Sequence, residues 1–115
     1  MTTPLQLAQH YFELSNRGDL TAIRALLTPS STYSSANTGV YLGAAQIMTM
    51  QRAFFDSFTD LHWTVHRAEQ INPGVIRFEF TLRGEKTDGE KVCRDGIEYI
   101  VVYQDKTQHV DVRNC

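Results

Sequence analysis

The chain has 115 residues, enough for one domain spanning residues 1–115 with a core that buries most of its apolar surface. Apolar residues make up 42% and charged residues 21%, ordinary globular values that argue against disorder or a low-complexity tail. The net charge of −2, with Lys and Arg scattered, leaves no basic stripe for a nucleic-acid backbone, and no apolar run approaches the roughly 20 residues of a membrane span.

The opening residues, MTTPLQLAQH, lack the basic and apolar segments of a secretion signal, so the expected location is the cytoplasm. From residue 5 to residue 16 apolar side chains recur at helical spacing. Leu7, Tyr11 and Leu14 form one stripe, with Leu5, Ala8 and Phe12 beside it, which predicts a first helix. Arg17 and Gly18 supply its stop, and Asp19 can cap a second helix carrying Leu20, Ile23, Leu26 and Leu27 inward. Pro29 ends that helix, and residues 30–41, rich in Ser, Thr, Asn and Gly, read as a short strand plus a loop that could rim a pocket. Gly43 precedes a third helical pattern over residues 44–58, with Ile47, Met50 or Gln51, Phe54 and Phe58 on one aromatic-rich face.

From Leu61 onward the period becomes two, which predicts four strands. Leu61, Trp63 and Val65 alternate with His62, Thr64 and His66. The two histidines would stand about 13 Å apart, too far to chelate one metal, so no metal site is expected. Asn72-Pro73-Gly74 turns the chain into a second strand, where Ile76, Phe78, Phe80 and Leu82 alternate with polar residues, and Asp88-Gly89 closes the next hairpin. A third strand covers about residues 91–103, and a last, short one after a turn at residues 104–107 carries Val110 and Val112. The third strand has apolar residues on both faces: Ile97, Tyr99, Val101 and Tyr103 on one, Val92, Ile100 and Val102 on the other. If helices cover one face, a homodimer packed sheet to sheet is the expected cover of the other. Cys93 reads as a small buried apolar residue rather than a nucleophile, and Cys93 and Cys115 both as free thiols, since neither shows zinc or redox spacing.

The run Tyr11-Phe12-Glu13-Leu14-Ser15-Asn16-Arg17-Gly18-Asp19-Leu20, followed by Ile23-Arg24-Ala25-Leu26-Leu27, resembles the opening helices of ketosteroid isomerases and SnoaL-like polyketide cyclases. Gly43 before the third helix and the late Gly96-Ile97-Glu98 are similar to the same nuclear-transport-factor-like superfamily, so the likeness spans nearly the whole chain. It implies an α+β, cone-shaped fold in which three N-terminal helices pack on the concave face of a curved antiparallel β-sheet. In ketosteroid isomerases a tyrosine and a neutral carboxylic acid hydrogen-bond the developing enolate while an aspartate moves the proton. The resemblance puts Tyr11 at the tyrosine position and Glu98 at or near the acid position. The aspartate position falls on Ser35, which cannot accept a proton near neutral pH without an activating base.

The candidate catalytic residues are therefore Tyr11, Glu98 and Ser35, and the candidate ligand-binding residues are Phe54, Phe58, Trp63 and Arg94. Each has a structural alternative. Tyr11 can be a core aromatic with its hydroxyl on a backbone carbonyl, and the three apolar aromatics can be simple core. Glu98, in an apolar strand, is either ion-paired with Arg94 or Arg77, or left alone and protonated. Residues 94, 96 and 98 share a face unless a bulge at Gly96 breaks the register. The expected function is binding of a small, mostly apolar molecule with no cofactor, and isomerisation, cyclisation or hydration of it if the protein is an enzyme. The alternatives are a non-catalytic ligand-binding or scaffolding homodimer and, hinted at only by Arg94 and Asp95, epoxide hydrolysis.

Overall fold

The structure, a computed structural model, describes residues 2–114. Cys115 lies outside the described residues. Helix α1 (Pro4–Arg17) starts at a reciprocal cap: Gln6 N donates to Thr3 Oγ1, and Thr3 N donates to Gln6 Oε1. It buries Ala8, Tyr11, Phe12 and Leu14 and stops at Gly18, whose φ of 66° few other residues adopt cheaply. Asp19 then caps α2 (Leu20–Ala25) by accepting from Ala22 N, so two helices meet at the sharp corner that the sequence pattern calls for.

Residues 30–41 contain more order than a strand and a loop. Strands β1 (Thr32–Ser35) and β2 (Gly39–Leu42) form a hairpin, because β-favouring Thr32, Tyr33, Val40 and Tyr41 flank the polar turn. Helix α3 (Gly43–Asp56) ends two residues before Phe58, where Ser57 Oγ donates to the Phe54 carbonyl at 2.6 Å and closes the last turn. Phe58 instead opens β3 (Phe58–Asn72), followed by β4 (Val75–Lys86), β5 (Lys91–Tyr103) and β6 (Lys106–Asn114). The last strand is not short: it has nine residues and pairs with β5 on one side and β1 on the other.

The sheet order is β2-β1-β6-β5-β4-β3, curved and unclosed. Every neighbouring pair is antiparallel except β1 and β6, which run parallel because the chain passes through α3 and three more strands before returning to β1's edge. The three helices lie on the concave face, although α3 follows the β1–β2 hairpin rather than α2 directly. The core forms where α1 meets the inner residues of β4, β5 and β6: Ile76, Phe78, Phe80, Leu82, Ile100, Val102 and Val110 are all buried, and the Phe12 ring stands 4.5 Å from that of Phe78. On the outer face Ile97, Tyr99 and Val101 are half-buried and Tyr103 is 62% exposed. Cys93 is exposed, not buried. It alternates with buried Val92 and so falls on the outer face of β5, opposite Arg83.

Candidate functional site

A cavity of about 70 Å³ lies between α1, α3 and the inner face of the sheet. It lies where the α1 stripe and the α3 stripe converge on the middle of β5. Tyr11 enters it from α1, Gln51 and Phe54 from α3, Trp63 from β3, and Arg94 and Glu98 from β5.

Glu98 reaches the cavity because the β4–β5 register runs unbroken through the Phe80–Gly96 pair, so residues 94, 96 and 98 share the inner face. Gly96 is required there: a Cβ on it would come within 2.5 Å of Phe80 Cζ. Glu98 is 4% exposed, and its Oε2 has no hydrogen-bond partner among the described residues. The ion-pair alternative is absent. Arg77 is on the outer face with Glu79, and Arg94 forms no salt bridge among the described residues. Burial, with a smaller contribution from the Asp111 charge, pushes the Glu98 carboxyl up to about 8, so it carries its proton at neutral pH.

Tyr11 is 5% exposed, and its hydroxyl is satisfied by a side chain rather than a carbonyl: Gln51 Nε2 donates to it at 2.7 Å. That bond leaves the tyrosine proton free to be donated. Burial first, then the charge Glu98 would carry, raise the Tyr11 pKa above its ordinary range, and the Gln51 bond opposes them. Tyr11 is thus a neutral donor at any ordinary pH. Ser35 ends β1 and borders the cavity, but its Oγ accepts only from Asn37 N, at 3.1 Å; among the described residues no imidazole or carboxylate bonds to it. A serine so placed has no group to take its proton.

Phe54, Trp63 and Arg94 border the cavity with Tyr11, Glu98 and Ser35; Phe58 does not. Having left α3 for β3, Phe58 lays its ring over Gly84, within 3.0 Å of where a Cβ would be, and stacks behind the cavity wall on Phe54, with ring centroids 5.0 Å apart. Phe55, which sequence reasoning passed over, takes its place beside Trp63 at 5.7 Å. Gln51 is the other residue missed as a functional candidate, although its signal was present: one amide on an otherwise apolar stripe of α3. Asp95 points its carboxylate at Thr81 Oγ1, 2.6 Å away, and Thr81 alternates with the buried Phe80 and Leu82, which puts that contact on the outer face. Among the described residues no cluster of His, Cys, Asp and Glu is suited to a metal, and no helix is long and apolar enough to cross a membrane.

The sequence model of the SnoaL-like domain matches residues 8–109. The chain belongs to the SnoaL-like family. No curated protein matches it in sequence. Among solved structures, the SnoaL-like chain is similar to an NTF2-like protein of unknown function from Burkholderia pseudomallei, with a TM-score of 0.87 at 13% identity over 100% of this chain and 92% of that one. It is similar to an LEH-like epoxide hydrolase from M. tuberculosis (TM-score 0.85, 12% identity, 97% and 82% covered). It is also similar to a protein of ketosteroid isomerase-like fold from Catenulispora acidiphila in complex with trimethylamine (TM-score 0.83, 14% identity, 96% and 85% covered). At such identities the likeness is one of fold, and it joins the SnoaL-like, NTF2-like and ketosteroid isomerase-like architectures in this chain.

Proposed function

We propose that this SnoaL-like protein binds a small, mostly apolar molecule in the cavity and holds its polar end between Tyr11 and Glu98. The observation that carries the proposal is the convergence of two buried proton-bearing groups, the Tyr11 hydroxyl and the neutral Glu98 carboxyl, on one aromatic-walled space. Burying two such groups without mutual satisfaction is destabilising unless a ligand completes them. The free volume of about 70 Å³ is below the roughly 300–1,000 Å³ of drug-sized sites, which favours a compact ligand.

Two donors lining one cavity can stabilise an oxygen on which negative charge develops, and an acid with a pKa near 8 can deliver a proton at neutral pH. Isomerisation, cyclisation and hydration fit that equipment, with Tyr11 as hydrogen-bond donor, Glu98 as acid and Arg94 as a nearby cation. Ser35, with no base bonded to it among the described residues, supports the second reading: a non-catalytic ligand-binding or scaffolding dimer that uses the same cavity. Epoxide hydrolysis gains no support from Asp95, whose carboxylate is held by Thr81. A second copy of the chain on the outer sheet face is part of the proposal, covering the row Ile97, Tyr99, Val101 and Tyr103; expression in the cytoplasm would suit the free thiol of Cys93.

Titration with cyclohexanone, followed by the fluorescence of Trp63, tests the site. The chain has one Trp, so the signal reports this wall alone. Saturable quenching that weakens roughly tenfold in Tyr11→Phe is expected from the loss of one buried hydrogen bond. Identical affinities in the two proteins would remove Tyr11 from the site.

A further inference from the structure

Gln51 is 5% exposed, lines the cavity, and has its amide oriented by one bond: Nε2 donates to the Tyr11 hydroxyl at 2.7 Å. The opposite end of the amide, Oε1, is buried and has no hydrogen-bond partner among the described residues. Glu98 Oε2 is in the same condition at the same cavity. The site therefore presents an unmatched acceptor beside its two donors. A ketone or ether oxygen can satisfy the donors but not Gln51 Oε1, because it has no proton to give. A hydroxyl can do both: its oxygen accepts from Tyr11 or Glu98 while its hydrogen goes to Gln51.

We propose that Gln51 is a specificity-determining residue that selects ligands bearing a hydroxyl, or another group that donates and accepts at one atom, over ligands that only accept. The inference rests on the cavity being the ligand site. With Nε2 taken by Tyr11, Oε1 is the end of the Gln51 amide left without a partner among the described residues, and the other orientation of the amide would instead offer a donor and favour ketones. A site whose buried polar group would be left unpaired by the wrong ligand discriminates more strongly than an apolar one.

The test compares cyclohexanol with cyclohexanone, which share shape and apolar area, by calorimetry and Trp63 quenching. In the native protein the alcohol is expected to bind about tenfold or more tightly than the ketone. In Gln51→Met, which keeps the unbranched length but carries no strong acceptor, that ratio should fall to near unity, with ketone affinity changed by less than about threefold. In Gln51→Glu, which keeps acceptor oxygens, the preference for the alcohol should persist. Equal binding of the two probes by the native protein, or a preference for the ketone, would overturn the role of Gln51 while leaving the cavity as the ligand site. Failure of both probes to bind would overturn the cavity and this inference together. The native comparison needs no variant, so a poorly folding Gln51→Met does not leave the question open.

Discussion

At the scale of single residues, Glu98 couples the site to stability. Its carboxyl is protonated in the fold up to about pH 8 and titrates near 4.5 when exposed. Between those values the folded state holds a proton that the unfolded state has lost, so stability falls as pH rises. The slope is up to ~1.4 kcal/mol per pH unit, and the loss ends once both states are ionised. Thermal melts are expected to show Tm falling from about pH 5 to about pH 8, and Glu98→Gln, neutral throughout, should flatten that dependence. A Tm that instead rises over this range in the native protein, with no change in the variant, would show that Glu98 is charged in the fold. The period of α1 and β3 was enough to turn Tyr11 and Trp63 inward and one unbroken strand register to carry Glu98 to the cavity, while it was the family resemblance that singled out Tyr11 and Glu98 as candidates. Phe58 was misplaced because helical spacing continues past the true end of α3, where the Ser57 hydroxyl and backbone N–H both close on the Phe54 carbonyl. Gln51 shared its place on the stripe with Met50, and only packing shows which of the two is buried.

At the scale of elements, the cavity depends on two joints. Asn16, exposed in the last turn of α1, receives a hydrogen bond from Trp63 N at 2.7 Å and donates to the Trp63 carbonyl at 2.9 Å. This two-point clamp sets α1 against the β3 segment that carries the indole. The resemblance picked out Asn16 by its place in a motif, but its partner lies 47 residues away, beyond the reach of any local pattern. Asn16→Ala should destabilise the protein by about 0.5–1.5 kcal/mol, measured by urea unfolding, and should also blunt the quenching of Trp63 by ligand. A fully retained Tm would mean the clamp adds nothing. Gly96 is the second joint. With Phe80 Cζ 2.5 Å and the Arg113 carbonyl 3.0 Å from where its Cβ would stand, Gly96→Ala must move either the ring or the strand pair. A loss of about 1–3 kcal/mol is expected, larger than for the same change at Gly89, which has nothing within 4 Å but does need its positive φ. The β1–β2 hairpin was the element least visible in the sequence, since its strands have four residues each, too few for their β-favouring residues to stand out from the polar stretch, and they are held by β6 and α3.

At the scale of the whole molecule, the alternation of apolar and polar residues in β3–β5 and the order of helices and strands were enough to give the layered architecture. The parallel β1–β6 pair was not, because it joins segments more than 70 residues apart. The outer face carries a central apolar row on β5 between the ion pairs Arg77–Glu79 and Arg113–Asp111, with the Arg113 guanidinium 5.5 Å from the Tyr99 ring. An apolar stripe edged by charges of both signs can match itself in a two-fold dimer. Sedimentation equilibrium should show a dimer that Val101→Glu dissociates without loss of fold; a monomer at all concentrations would contradict the pairing. The central claim is that the space between Tyr11 and Glu98 is a ligand site, and a high-resolution crystal structure of the protein as purified, then soaked in cyclohexanol, tests it most directly. The expected result is an apolar molecule walled by Phe54 and Trp63 with one oxygen within roughly 3 Å of the Tyr11 hydroxyl. A packed interior without such a molecule, with Glu98 tied to Arg94, would contradict it.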